Sequence, residues 1–347
     1  MTAATGIRFP RPLSAGDRIG VTSPSSGVEA ELWPRLLFAV EVVERHGFQV
    51  VLGDCMDGAS HVSASREQRA AELQSMLVNP TIRAVVPPWG GETAIDLLDV
   101  LDWDAIAAAE PTWVVGFSDI STLLVPLTLV AGVATVHGQN LMETPYPPPP
   151  GLLSWVDVVQ HDQHVQLVQR GSRLQAPPGV DDWREHPRVT EPRWTLPATW
   201  RRLDASDGPV DVRGRLIGGC IETLCNLAGT RYLDVTGWAD AHAPEGVIVY
   251  VEADGDDAMS ICRNLHGMRL NGVFDRATAV LVGRTHAADA PSLTQGEAVV
   301  DALGCLGIPI VGDVECGHVG PHMPLVNGAL ARVTYSNEQA VVHQQLF

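Results

Sequence analysis

A serine stands where an apolar run gives way to a helical one, in Trp113-Val-Val-Gly-Phe-Ser118-Asp-Ile-Ser-Thr-Leu-Leu. A hydroxyl at the C-terminal end of a buried strand is accessible, and the first free amides of the following helix point at any charge that develops beside it. That is the layout of a nucleophile elbow, although the Gly-x-Ser-x-Gly form is absent because Asp119 and Ile120 follow the serine. Spacing alone also allows Ser118 to be a helix N-cap, the more common use of such a serine.

A serine nucleophile needs donors for an oxyanion and a base for its proton. In Val86-Pro-Pro-Trp89-Gly90-Gly91-Glu92 a diglycine ends a second apolar run, which lets backbone approach the elbow without a side chain between. Gly91 and Asp119 are the candidate oxyanion donors; the glycines alone fit a tight strand-to-helix turn equally well. Twelve histidines compete for the base. His318, in Glu315-Cys-Gly-His318-Val-Gly-Pro-His322, sits in a glycine-flanked loop of the kind that carries function. His137, in Val136-His137-Gly138, also ends an apolar run and lies closer in sequence to Ser118, so spacing does not separate the two; a core histidine is its plainer meaning.

The acid that would orient the base is suggested by Val247-Ile-Val-Tyr-Val251-Glu252, an apolar strand ending in a carboxylate. Buried carboxylates are costly to desolvate, so one without a task is rare; a strand-end carboxylate that reaches solvent is the alternative. His318 and His322 have the i, i+4 spacing of a helical zinc pair, but Gly320 and Pro321 lie between them and the motif's glutamate is missing. Asp254, Asp256 and Asp257 lack the ordered spacing of a calcium loop and read as a solvated acidic turn. No metal site and no cofactor are expected.

The elements that must hold these residues follow from hydrophobic period. From Arg18 to Val136 short β-branched runs alternate with helical stretches, the pattern of a doubly wound parallel sheet. Helices are expected over Glu29–His46, with Pro34 delaying the start, and over Arg66–Leu77, Thr93–Leu101 and Asp119–Val130. After Val210 strand and helix signals return, giving a second α/β domain. The expected division is an N-terminal domain over 1–145 carrying the nucleophile, a linker and Trp-containing loop region over 146–208, and a C-terminal domain over 209–347 carrying Glu252 and His318. The stretch from Tyr-Pro-Pro-Pro-Pro-Gly onward, rich in Pro, Arg, Asp and Trp, reads as irregular.

Composition bounds the class of function. The chain has 347 residues, is 45% hydrophobic and carries a formal charge of −18. It is therefore able to bury a core, and its field repels phosphate backbones and anionic membranes, so neither a nucleic acid polymer nor a membrane is an expected partner. Met1–Pro10 lacks a leader pattern and no apolar run is long enough to span a bilayer, which reads as a cytoplasmic protein. Six cysteines, at 55, 220, 225, 262, 305 and 316, include no Cys-x-x-Cys pair and are expected to be reduced.

Several pieces taken in order resemble the LD-carboxypeptidase family of serine peptidases, which also includes the microcin C immunity peptidases. They are Gly16-Asp-Arg-Ile-Gly-Val-Thr-Ser-Pro-Ser, Gly90-Gly91 followed by Leu97-Leu98 and Leu101-Asp102, Gly116-Phe-Ser118-Asp-Ile-Ser, Gly214-Arg-Leu-Ile-Gly-Gly, Val251-Glu252 and Gly317-His318. The resemblance implies a Ser118, Glu252, His318 triad in a site between two domains, no cofactor, a small peptide or aminoacyl-nucleotide-like substrate, and a homodimer. The length and the Trp-containing insertion look more like the immunity branch, with Trp183 and Trp200 where that branch has tryptophans. They are read either as faces that stack on a base or as anchors of the loop. Trp89, Glu92 and Cys220 are expected to line or support the pocket; Pro87-Pro88-Trp89 and Cys220 depart from the family's usual small or polar residues and asparagine. Acyl transfer through the same acyl-enzyme, and a non-catalytic binder on the same fold, are the alternatives to hydrolysis.

Overall fold

The computed structural model describes residues 6–347 apart from 180, 337 and 338; the first five residues of the Met1–Pro10 segment lie outside the described residues. Strands β1 (Arg18–Val21), β2 (Gln49–Leu52), β3 (Ile82–Val85), β4 (Trp113–Gly116) and β5 (Thr135–His137) alternate with helices α1 (Trp33–Arg45), α2 (Arg66–Val78), α3 (Trp103–Ala108) and α4 (Ser121–Leu129). Next come α5 (Trp155–Val159), β6 (Leu167–Arg170), the small pair β7 (Leu174–Gln175) and β8 (Leu196–Pro197), and β9 (Arg201–Arg202). The rest of the chain supplies β10 (Val210–Cys220), α6 (Ile221–Leu224), α7 (Val235–His242), β11 (Val247–Glu252), α8 (Ala258–Leu270), β12 (Ala277–Gly283), α9 (Gln295–Leu303), β13 (Ile310–Val314), β14 (Leu325–Asn327), β15 (Leu330–Tyr335) and β16 (Ala340–Gln345).

Two sheets result, each an α/β layer. The first runs β14-β5-β4-β3-β1-β2, parallel except that β14 pairs antiparallel with β5. The second runs β6-β16-β15-β10-β11-β12-β13-β9, with β10 to β13 parallel and the flanking strands antiparallel. The apolar runs sit in the middle of these sheets and are covered on both faces, as parallel strands must be; every residue of β3, β4 and β11 is buried.

Helix α4 joins the two layers. It is apolar all round, is buried from Ser121 to Thr128, and touches β4 and β5 on one side and β10 on the other, as befits a helix without a solvent face. One apolar cluster accordingly runs from Val85 and Ile120 through Leu124 to Ile217 and Val249. The backbone amide of Cys220, at the end of β10, also donates to the Ser121 hydroxyl of α4 over 3.1 Å.

Local chemistry moves several expected boundaries. Pro34 falls in the first turn of α1, which starts at Trp33 after a 3₁₀ turn. The helix expected over Thr93–Leu101 is a 3₁₀ turn, Ala94–Leu97, and a separate α3 begins where the Asp102 carboxylate caps the Ala105 amide. The helix expected over Asp119–Val130 is divided into a 3₁₀ turn, Ser118–Ile120, and α4. The stretch read as irregular holds α5 and β6, and β6 adds to the second sheet through β16. No described helix is long and apolar enough to cross a membrane.

Candidate active site

Ser118 begins the 3₁₀ turn that follows β4, and its φ is +63°, a left-handed value that a side-chain-bearing residue rarely adopts. Phe117, not Ser118, occupies the cap position, and no side-chain cap hydrogen bond is made there. The strain and the missing cap bond favour the elbow meaning of this serine over the cap meaning.

Asp119 fixes the elbow from below. Its buried carboxylate accepts from the Ser25 hydroxyl at 2.6 Å, the Ala94 amide at 2.8 Å and the Thr122 hydroxyl at 3.2 Å. Ser25 in turn accepts from the Thr93 amide at 3.1 Å, which ties the loops after β1 and β3 to the turn after β4. Gly90 packs directly on the nucleophile: a Cβ there would stand 2.9 Å from the Ser118 Cβ and 3.1 Å from the Asp119 amide nitrogen. Gly91 adjoins Ser25 and Ser26, and shares with Ser118, Trp89, Glu92 and Asp254 the wall of one recess. The Trp89 indole is held there by the Ser26 and Gly27 carbonyls.

Glu252 ends β11 and is fully buried. The His318 Nδ1 donates to its Oε2 over 2.8 Å. Gly317 makes that bond possible, because its φ is +95° and a Cβ would fall 2.2 Å from the same carboxylate oxygen. On the other side the His137 Nε2 stands 3.7 Å from Oε1, too far for a hydrogen bond, and both atoms are buried without a partner. Burial alone would raise the Glu252 carboxyl, but His318 and then His137 outweigh it and hold it well below the usual carboxylate range. Burial lowers His318, and Glu252, Asp254 and Glu143 more than reverse this, raising it to about 9.

The Phe117 ring connects nucleophile and base. It lies 4.9 Å from the His318 ring, edge-on, and 5.0 Å from the His322 ring. His318 Nε2 is 3.7 Å from the carboxylate of Asp254, a residue of the Ser118 recess. The contact between Asp254 and His318 thus links the Ser118 recess to the one that His318 lines. The second recess is lined by Glu143, Tyr146, Trp183, Trp194, His318 and His322. Within it the Trp183 indole donates to the Tyr146 hydroxyl at 2.8 Å, and the Arg35 guanidinium lies over both rings at 4.8 Å. Burial pushes the Glu143 carboxyl up to about 7 against the pull of His318. Burial, with His137 and His318 nearby, pushes His322 down to about 3, so it is neutral.

Ser118, Gly91, Trp89 and Glu92 line the first recess and His318 and Trp183 the second, with Asp119 next to Ser118 and Glu252 bonded to His318. The Cys220 sulfur lies within 4.8 Å of a Glu252 oxygen and a His318 ring nitrogen. His137 is buried on the far oxygen of Glu252. Trp200 does not reach the cleft: it is buried in the core around Leu216 and Val311, where its indole donates to Glu315 at 2.7 Å. Its place supports the anchoring meaning. Sequence reasoning missed Glu143, Tyr146 and Trp194. Tyr146 was hidden by the prolines that follow it, and Trp194 by a segment with no regular period.

Two stacked α/β layers with a serine elbow and a buried carboxylate–histidine pair at their junction define a two-domain serine hydrolase. The LD-carboxypeptidase N-terminal domain model matches residues 19–138 and the C-terminal domain model residues 213–333. The chain belongs to the LD-carboxypeptidase family and is a serine peptidase. It is 25% identical over 346 residues to the microcin C7 self-immunity protein MccF of Escherichia coli, covering 96% of this chain and 95% of that protein. It is 28% identical over 249 residues to a murein tetrapeptide carboxypeptidase of Pseudomonas aeruginosa, covering 72% of this chain and 70% of that one. The solved structure of MccF in complex with aspartyl sulfamoyl adenosine matches with a TM-score of 0.80 at 23% identity, over 97% of this chain and 98% of that chain.

Proposed function

We propose that this peptidase hydrolyses an amide in a small peptidyl or aminoacyl substrate through Ser118, His318 and Glu252. The observation that carries the reading is the 2.8 Å bond from His318 to buried Glu252 beside a serine held at a left-handed φ. His318 takes the Ser118 proton as the oxygen attacks the carbonyl carbon, and the amides of Gly91 and Asp119 receive the oxyanion. When the tetrahedral intermediate collapses, His318 returns the proton to the departing amine. Water, activated by the same imidazole, then releases the acyl group. Glu252 keeps the imidazole in the productive tautomer and stabilises its protonated form.

The substrate reading is an aminoacyl or peptidyl group joined to a nucleotide-like leaving group. The aromatic recess of Tyr146, Trp183 and Trp194 beside His318 supports it, since a base stacks on such faces. So does the complex of MccF with aspartyl sulfamoyl adenosine. Murein peptide cleavage is the second substrate reading, supported by the murein tetrapeptide carboxypeptidase relative. In keeping with the family resemblance, the enzyme works in the cytoplasm as a homodimer, which light scattering on the purified chain tests.

Ser118→Ala tests the mechanism: turnover of an aminoacyl-sulfamoyl adenosine falls by about 10⁶-fold while the circular dichroism spectrum is unchanged. Unchanged kcat in the folded variant overturns the assignment. Running murein tetrapeptide beside the nucleotide conjugate decides between substrates. Mass spectrometry of products formed with excess amine separates hydrolysis from acyl transfer, and failure to react with a fluorophosphonate would revive the non-catalytic binder.

A further inference from the structure

Cys220 and Glu252 close adjacent parallel strands and are register partners across β10 and β11, so a thiol and a carboxylate are held side by side by the main-chain ladder. His318 comes down on them from its loop, and one ligand atom from each of the three lies within 4.8 Å of the other two. Glu222 adds a carboxylate oxygen 3.2 Å from the Cys220 sulfur. Glu252 itself is fully buried, with Oε2 on His318 and Oε1 turned to His137, 3.7 Å away. Among the described residues no arginine forms an ion pair with Glu222, Glu252 or Asp254; the partners of Glu252 and Asp254 are the imidazoles of His318 and His137.

Thiolate, imidazole and carboxylate are the donor set of tetrahedral zinc, whose bonds of about 2.0–2.3 Å put ligand atoms roughly 3.3–3.8 Å apart. Side-chain adjustment of about 1 Å closes the set seen here, with Glu222 in reach as fourth ligand. We propose that Cys220, Glu252 and His318 form a binding site for a thiophilic divalent cation of the zinc class, and that the bound ion switches the peptidase off. Binding displaces the thiol proton and the His318 Nδ1 proton to solvent and converts the Glu252–His318 hydrogen bond into two metal bonds, while His318 Nε2 keeps its own proton. His318 then has no lone pair for the Ser118 proton. This inhibition rests on the reading of His318 as the base; the binding does not.

The test uses the full-length Ser118→Ala chain, which keeps every ligand and turns over nothing. Zinc, titrated against a chromophoric chelator, binds at one ion per chain, and cadmium gives a thiolate-to-metal charge-transfer band. Cys220→Ser removes the band and weakens zinc at least tenfold, and Glu222→Gln weakens it by a smaller factor. Cys262→Ser, in the cluster of half-buried Cys262 and His266 with exposed Asp301, changes neither. Loss of the band in Cys262→Ser, or its survival in Cys220→Ser, overturns the site. With Ser118 intact, zinc inhibits reversibly, a chelator restores the rate, and the inhibition constant rises at least tenfold in Cys220→Ser. Full turnover with zinc bound at Cys220 overturns the switch, whereas a metal-free enzyme that never turns over condemns the serine-peptidase mechanism and leaves the binding result standing.

Discussion

Two glutamates end apolar strands of the second sheet, and both are completely buried, yet they are built for opposite tasks. Glu315, just after β13, has every approach filled. Ser172 donates to it at 2.6 Å, Arg284 at 2.5 Å and Trp200 at 2.7 Å, and Arg284 is further pinned by the Ser172, Leu174 and Asp313 carbonyls. Glu252, at the end of β11, has one bond, to a histidine that faces a cleft, and one oxygen with no partner. A carboxylate surrounded by fixed donors anchors a fold, because moving anything near it uncovers a buried charge. A carboxylate with a single bond, to an imidazole that faces a recess, is left to orient that imidazole and to stabilise its protonated form.

The difference predicts which glutamate fails in which assay. Glu252→Gln is expected to depress kcat by about 10⁴-fold in a protein that still folds, because the amide keeps the shape but neither selects the tautomer nor stabilises the imidazolium. Steady-state kinetics and thermal unfolding on the same sample check it; a stable variant with normal kcat breaks the comparison. Glu315→Gln should do the reverse. Removing one partner of a buried ion pair costs about 3–5 kcal/mol, read by urea denaturation, while kcat/KM of the folded fraction stays within a few-fold of the parent.

The pH dependence sharpens the same contrast. With His318 raised to about 9, most of the imidazole is protonated at neutral pH, so kcat/KM is expected to climb as pH rises toward 9. Replacing Glu252 by glutamine removes the anion that raises it and moves that limb to lower pH. The stability effect has a definite sign. A group raised on folding from an ordinary 6.5 to about 9 stabilises fully below the lower value, and the gain is lost as pH rises through the upper one. The wild type's stability advantage over Glu252→Gln therefore shrinks above pH 7 and its His318 part is gone past about 9, which denaturation at stepped pH measures. The smallest effect belongs to the tryptophans. Trp183→Ala should raise KM for a nucleotide conjugate by roughly 5- to 150-fold, the 1–3 kcal/mol of a stacked base, whereas Trp200→Ala acts on stability through Glu315.

Sequence and structure agree where the information is local. The α/β alternation, the central strands and the strand-end positions of Ser118 and Glu252 follow from short apolar runs broken by turn residues. Choosing His318 over His137 needed the family resemblance, because both histidines follow apolar runs and only the three-dimensional arrangement puts one on each oxygen of Glu252. The tryptophans show the limit most plainly. Trp200 and Trp194 are equally uninformative as sequence, yet one meets a glutamate 115 positions away and the other lines the cleft. The division of Asp119–Val130 into a turn and a helix was also invisible, since it follows from the Asp119 carboxylate bonding to Ser25 and Ala94.

The three-residue strand β14 has a consequence for how this protein is made. It completes the first sheet beside β5, although 192 positions separate Asn327 from its partner Thr135, and the Asn327 amide also donates to the Thr135 hydroxyl at 3.2 Å. During translation the nucleophile-bearing half therefore emerges with β5 as a bare edge, and it stays bare until residues 325–327 have left the ribosome. Unpaired edges recruit other strands. A nascent or truncated chain ending before residue 325 is thus a substrate for chaperones and aggregation, and the two halves of this peptidase are not separable goods that a cell, or an engineer, can produce apart.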